Sequence, residues 1–382
     1  MAKQVVVDLQ AAWDFETTTL GFEPPLPDAG ECGPDERFDV FIWRGKVTCF
    51  VQIMHEGLED KYLFSPQAPW GGRTAYMVVD PWGKYGGKIL GQTMAHELNH
   101  ASHAREDYYE AGDVFEMSAT YVEQYFNKAL AYNVAAFQNN PDWALLFYDD
   151  YATYYMYGSA LYMYFLRDYY FSRQAVVDQQ FPSRLWLYMR NSTARPQVNK
   201  PNVVDGLDRL LAPFGDSFLD SALVFARWRY YAGTDKSDGV HFKPWQGLPP
   251  DYTLMPFLPE AKIVPAKVTL ADGGYKVDPP PMLTGNGYVE VTSDDSGQKS
   301  FQLSLDAPLN PAVRWVVQAV PGTSEGSDGE TLDLSSGSAR VAFAADGQRG
   351  KRTLIISAMP TTTLDPDDRS AERFPVTLKI KP

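Results

Sequence analysis

Apolar positions along this chain follow two rhythms. Before about residue 245 they return every three or four places, among many aromatics, as on the buried faces of helices. Beyond it they alternate in short runs broken by Gly, Pro, Asp and Ser, as in half-buried strands. In the first part RFDVFIWR (37–44) and TAYMVVD (74–80) have strand character, and a helical pattern surrounds GQTMAHELNHASHAR (91–105). DVFEMSATYVEQYFNKALAYNVAAF (113–137) predicts one long helix with Asp113 as its N-cap. Further helices are expected over 151–171, 183–192, 202–213 and 215–232.

In the second part AKVTLA, GYVEVTS, KSFQLSL, VRWVVQAV, ARVAFAA, RTLIISAM and FPVTLKIK predict about seven strands, with DGG, GNG and ADGQ as turns. Between the parts, PWQGLPPDYTLMPFLPE (244–260) reads as a linker. The expected class is α+β. Residues 1–245 form one domain, mixed α/β to about 112 and helical after it; 246–260 link it to an all-β sandwich over 261–382. A chain ending near Pro249 is then expected to fold alone.

Composition narrows the functions. Hydrophobic residues at 45% and charged residues at 21% over 382 positions describe a soluble globular chain. A net charge of −14 and a pI near 4.8 disfavour nucleic acid and anionic membranes as partners. No apolar run reaches membrane-spanning length, and MAKQVVVDLQ lacks the apolar core of a secretory signal. Cys32 and Cys49 suit either a disulfide or two reduced thiols, and no CxxC spacing makes them zinc ligands.

The chain has five histidines, and TMAHELNHASHARED (93–107) holds three of them. His96-Glu97-Leu98-Asn99-His100 is an HExxH motif. On a helix, residues four apart sit about 40° from each other, so two imidazoles on adjacent turns can ligate one Zn²⁺. Glu97 lies between them as the candidate general base for a metal-bound water.

A catalytic zinc needs a third protein ligand and an open position. The metzincin pattern HExxHxxGxxH fails, because His103 stands where its glycine belongs and Glu106 where its last histidine belongs. The gluzincin pattern takes a glutamate from a following helix, and VFEMSATYVEQ offers Glu116, with small Ala119 and Thr120 one turn on. Asp113-x-x-Glu116 is equally a capping box, and Glu110 and Glu123 are other carboxylates within reach. His103, seven residues after His96, shares the ligand face as an outer partner, a cleft residue or a mere buried neighbour.

AHELNHA, then DVFEMSATYVEQYF, then YYMYGSALYMYFLRDYY resembles a group of bacterial secreted metalloproteases of the gluzincin type, over about residues 35–235. The resemblance implies a zincin-like catalytic domain with zinc ligands His96, His100 and Glu116, Glu97 as base, and a C-terminal β-sandwich. Met117 departs from it, since glycine is usual there. It also draws attention to the tyrosine-rich helix, where Tyr154, Tyr155 or Tyr157 could donate a phenol hydrogen bond to a tetrahedral oxyanion; Tyr157, before Gly158, is the residue taken forward. Tyrosines at this spacing more often pack a core.

His55 and His241 stand alone and are expected to be structural, and SDDSG (293–297) lacks the spacing of a calcium loop. The resulting expectation is a secreted or cell-envelope zinc endopeptidase acting on peptide or protein substrates, with TAYMVVD offering its edge to an extended peptide. Its rival is a non-catalytic surface or binding protein whose metal is structural or absent.

Overall fold

The protein is described from a computed structural model. Residues 2–27, 35–44, 49–53, 68–82, 90–124, 131–149, 152–172, 178–191, 199–233, 241–242, 262–295, 297–320, 329–343, 350–365 and 371–382 are described. The expected linker 246–260, together with Cys32 and His55, lies outside them. The chain is of mixed α+β class. Its contacts group it into two compact units, one of Met1–Leu130, Ala160–Phe218 and Pro250–Leu254, the other of Ala131–Ser159, Leu219–Pro249 and Met255–Pro382. This is not the single cut that the linker composition predicts.

The first unit begins with α1 (Ala2–Asp14), a segment to which the sequence pattern assigns no element. A three-stranded sheet follows, from β1 (Val40–Ile42), β2 (Cys49–Ile53) and β3 (Ala75–Val79), in the order β1-β3-β2. β3 is parallel to β1 and antiparallel to β2. TAYMVVD therefore supplies the central strand, paired on both sides, and has no edge to offer a peptide.

Next come α2 (Leu90–Glu106) and α3 (Gly112–Glu123), which pack on each other. The expected helix 113–137 is divided: α3 ends at Glu123 and α4 (Ala131–Asn139) belongs to the second unit. Nor is Asp113 the N-cap. Ala111 holds that place with extended backbone, and Asp113 sits buried inside the first turn. The expected helix 151–171 is likewise broken, into α5 (Tyr155–Gly158), α6 (Ala160–Leu166) and a π-helical turn over Arg167–Phe171. The remaining helices are α7 (Phe181–Met189), α8 (Val203–Leu211) and α9 (Phe218–Trp228). Asn202 and Asp205 form a reciprocal capping box that starts α8.

In the second unit, β4 (Ala266–Thr269), β6 (Asn286–Thr292), β8 (Val313–Val320), β9 (Glu330–Thr331) and β11 (Lys351–Pro360) make a five-stranded sheet, ordered β4-β6-β11-β8-β9. β5 (Gly273–Lys276), β7 (Ser300–Asp306), β10 (Ala339–Ala342) and β12 (Thr377–Lys381) make a four-stranded one, ordered β10-β7-β12-β5. DGG, expected as a turn, contributes its two glycines to β5. Pairing is antiparallel throughout except between β4 and β6. Val291, Val317, Leu354 and Ile356 of the larger sheet share one buried cluster with Phe301, Leu303, Leu378 and Ile380 of the smaller.

The other face of the larger sheet is buried too. Ala226, Tyr230 and Tyr231 cluster with Ile263, Tyr288, Val320 and Ile355, and the Tyr288 hydroxyl donates to the Ala226 carbonyl at 2.6 Å. This is the physical reason the helical residues 219–231 group with the strands. β11 is buried from Thr353 to Pro360, as its unbroken apolar run demands of a strand covered on both faces. Among the described residues no helix is long and apolar enough to cross a membrane.

Candidate metal centre

α2 carries Met94, Leu98 and Ala101 into the core of the first unit, and the same helical spacing brings His96, His100 and His103 together. Its C-terminal carbonyls, which lack partners within the helix, are taken by the segment leading into β3. The Trp70 indole donates to the Arg105 carbonyl at 2.7 Å, and the Arg73 amide to that of Ala104 at 2.8 Å. Gly72 is required there, since a Cβ would stand 2.2 Å from the Arg105 oxygen. The ligand helix is thereby tied to the central strand.

α3 supplies the third group. Glu116 Oε2 lies 2.9 Å from His96 Nε2 and 3.4 Å from His100 Nε2, and the three ligand atoms fall within 4.8 Å of one another. All three side chains are almost fully withdrawn from water, and the two imidazoles meet edge to face, 4.6 Å between centroids. Glu116 is thus turned toward the histidines, although its sequence position also suits a cap.

Glu123 lies one further turn along α3, with Oε2 3.1 Å from His96 Nδ1, the nitrogen facing away from Glu116; this is an ion contact, not an aligned hydrogen bond. It meets the far side of a ligand instead of joining the ligand set. Glu110 is occupied locally, accepting the Ala111 amide at 2.9 Å.

The charged groups of the cluster shift one another. Burial opposes the imidazolium of His96, but Glu116 and Glu123 outweigh it and hold the ring well above its ordinary pKa. Burial likewise opposes the Glu116 carboxylate, yet His100 and His96 draw it well below the usual range. A divalent ion can take the place of such a proton between one carboxylate and two imidazoles, so the donor set fits a metal.

Two surrounding residues have no signal in the motif. Glu16, fully buried in a π-helical turn after α1, accepts the Asn99 side-chain amide at 2.9 Å. Burial pushes its carboxyl well above the usual range, against the pull of Asn99 and His96. Ser118 receives the indole N–H of Trp186 at 3.1 Å and stands 3.1 Å from His103 Nε2. Proximity to such rare residues in space, not in sequence, is what marks them.

Glu97 is half-buried on α2 between the two ligands. Tyr157 is half-buried on α5 in the second unit, its ring 5.9 Å from that of Tyr154. Tyr155 is fully buried and donates its hydroxyl to the Ala144 carbonyl at 2.9 Å, so it is a core residue. Gly158 serves packing: a Cβ would stand 2.1 Å from the Asn133 carbonyl of α4. His241, as expected, is buried in packing, stacked on Tyr231 at 4.2 Å.

Compared with protein-family models and with curated proteins, the chain matches none.

Proposed function

We propose that this protein is a zinc-dependent endopeptidase of the gluzincin kind, secreted or held in the cell envelope, whose first unit is a zincin-like catalytic domain. The second unit's paired sheets are read as an accessory β-sandwich. One observation carries the reading: Glu116 converges on His96 and His100 from a separate helix, at 2.9 and 3.4 Å. Tetrahedral zinc with bonds of roughly 2.0–2.1 Å sets its ligand atoms roughly 3.3 Å apart, close to these separations. Two imidazoles and one carboxylate also leave one position for water or substrate.

Zinc held by His96, His100 and Glu116 would lower the pKa of a water and polarise the scissile carbonyl. Glu97, on the same helix and outside the ligand set, takes the proton of the attacking water and returns it to the leaving amine. Glu123 keeps the His96 ring oriented through its second nitrogen. An extended substrate would pair with the outer edge of β1 or β2, since β3 is already paired on both sides.

The test is Glu97→Gln. It should retain stoichiometric zinc and lose peptide-library cleavage by about 10²–10⁴-fold. Wild-type protein that binds zinc but cleaves nothing would support the non-catalytic binding protein instead, and near-wild-type cleavage by the variant would remove Glu97 as base.

A further inference from the structure

His103 lies on the ligand helix yet is not a ligand. Its ring is fully buried and stacks on Trp186 at 3.9 Å and 10°, with Phe115 against its edge at 5.4 Å. Its only hydrogen bond among the described residues is the one to Ser118, and the same hydroxyl also receives the Trp186 N–H. One side chain of α3 therefore joins α2 and α7.

The helical wheel of α3 shows what this junction can do. With Ala119 at the centre of the face toward α2, Glu116 and Glu123 fall roughly 40–60° to one side, and Phe115 and Ser118 roughly 40–100° to the other. The carboxylate side meets His96 and His100; the other side meets His103 and Trp186. α3 also packs on α6 and α7 through Tyr121, against Tyr164 and Phe181, so what the Ser118 junction can set is the fine roll of α3 against α2. A side chain reaching about 6 Å from that axis moves about 1 Å for a roll of about 10°. Ligand sites tolerate about half of that.

We infer that His103 is a positioning residue: gripped by Ser118 and Trp186, it fixes the roll of α3 against α2 and so the point at which Glu116 presents its carboxylate. This rests on the reading of His96, His100 and Glu116 as a metal site. An imidazole ring suits the task, being able to stack flat on indole and hydrogen-bond along its own plane at once.

The experiment uses the full-length chain, with zinc affinity measured by chelator competition and the visible spectrum of the Co²⁺ form reporting ligand geometry. Ser118→Ala should weaken zinc about 10–100-fold and change the Co²⁺ bands. The control Ser102→Ala also removes a buried hydroxyl from this helix pair, outside the grip, and should stay within a few-fold of wild type. A purely structural Ser118 would lower melting while leaving the affinity of the folded protein unchanged, which overturns the inference. If Ser118→Ala does not fold, His103→Gln and His103→Leu decide. Glutamine can still reach Ser118 and should bind more tightly than leucine; equal affinities overturn the proposal. Wild-type protein that holds neither zinc nor Co²⁺ would overturn the metal reading, and this inference with it.

Discussion

The interface of α2 with α3 buries His96, His103, Glu116, Ser118 and Glu123, whereas the core between the two larger sheets buries Val291, Phe301, Leu303, Leu354, Ile356 and Leu378. Both are shielded from water to the same degree. The second gains roughly 25 cal/mol for each Å² of apolar surface removed from water. The first gains little, because desolvating charged groups offsets most of what their pairing returns. A polar interior beside a wholly apolar one is where a chain would give up stability for chemistry. Substitutions should therefore separate: those in the apolar core change melting, and those of the ligand set or the His103–Ser118 junction change metal affinity.

The largest effect tests how far the apolar core extends. A chain ending at Pro249 keeps His96, His100 and Glu116 but strips Ala226, Tyr230 and Tyr231 of Ile263, Tyr288, Val320 and Ile355. It should be insoluble or unfolded, contrary to what the linker composition predicts. A soluble fragment with a cooperative melt would show that the polar helix pair stands without that core.

Glu116→Gln comes next. It should weaken zinc by more than about a hundred-fold, beyond what an outer partner is worth, while apo melting shifts little at a pH above the raised pKa of His96, where the Glu116–His96 ion pair no longer contributes. Affinity within a few-fold of wild type would remove Glu116 from the ligand set and move suspicion to Glu110 or Glu123. Leu354→Ala should do the reverse, destabilising by about 2–5 kcal/mol in denaturant titration and leaving the zinc affinity of the folded protein alone. Loss of affinity there would erase the contrast.

The smallest effect is in pH. His96 must lose its proton to bind zinc, so affinity should rise with pH, by up to about tenfold per unit, until the raised pKa of His96 is passed. The stability that His96 lends the apo protein runs the other way. It is fully present below the ordinary value of about 6.5 and fades as pH rises through the raised one. Chelator competition and apo melting over one pH series would measure both; flat affinity would mean that no proton is exchanged for metal.

The HExxH helix was legible because the motif concentrates rare histidines at a spacing with a geometric meaning. Glu116 was legible only as one of several carboxylates, since capping and ligation ask for the same residue at the same place. What separated them was the start of α3 at Gly112 and the side of the helix that faces α2. Glu123 on His96 Nδ1 and Glu16 on Asn99 depend on the relative phase of elements, which one-dimensional periodicity does not carry. β5 was hidden because glycines signal turns even where they lie in a strand. The grouping of 131–159 and 219–249 with the strands was hidden because amphipathic helices reveal that they are buried, not against what.

That grouping has a consequence for how the chain comes together. The Leu145 amide closes on Thr284 Oγ1 across 139 positions, and Asp142 pairs with Arg373 across 231. As the polypeptide emerges in order, α4 and α5 wait without their partners until the strands have been synthesised. Distant pairing of this sort slows folding and prolongs the exposure of sticky segments. The first unit is interrupted by these same residues, so its α6–α8 portion is also delayed. Assembly is therefore governed by sequence separation more than by the intrinsic strength of any helix.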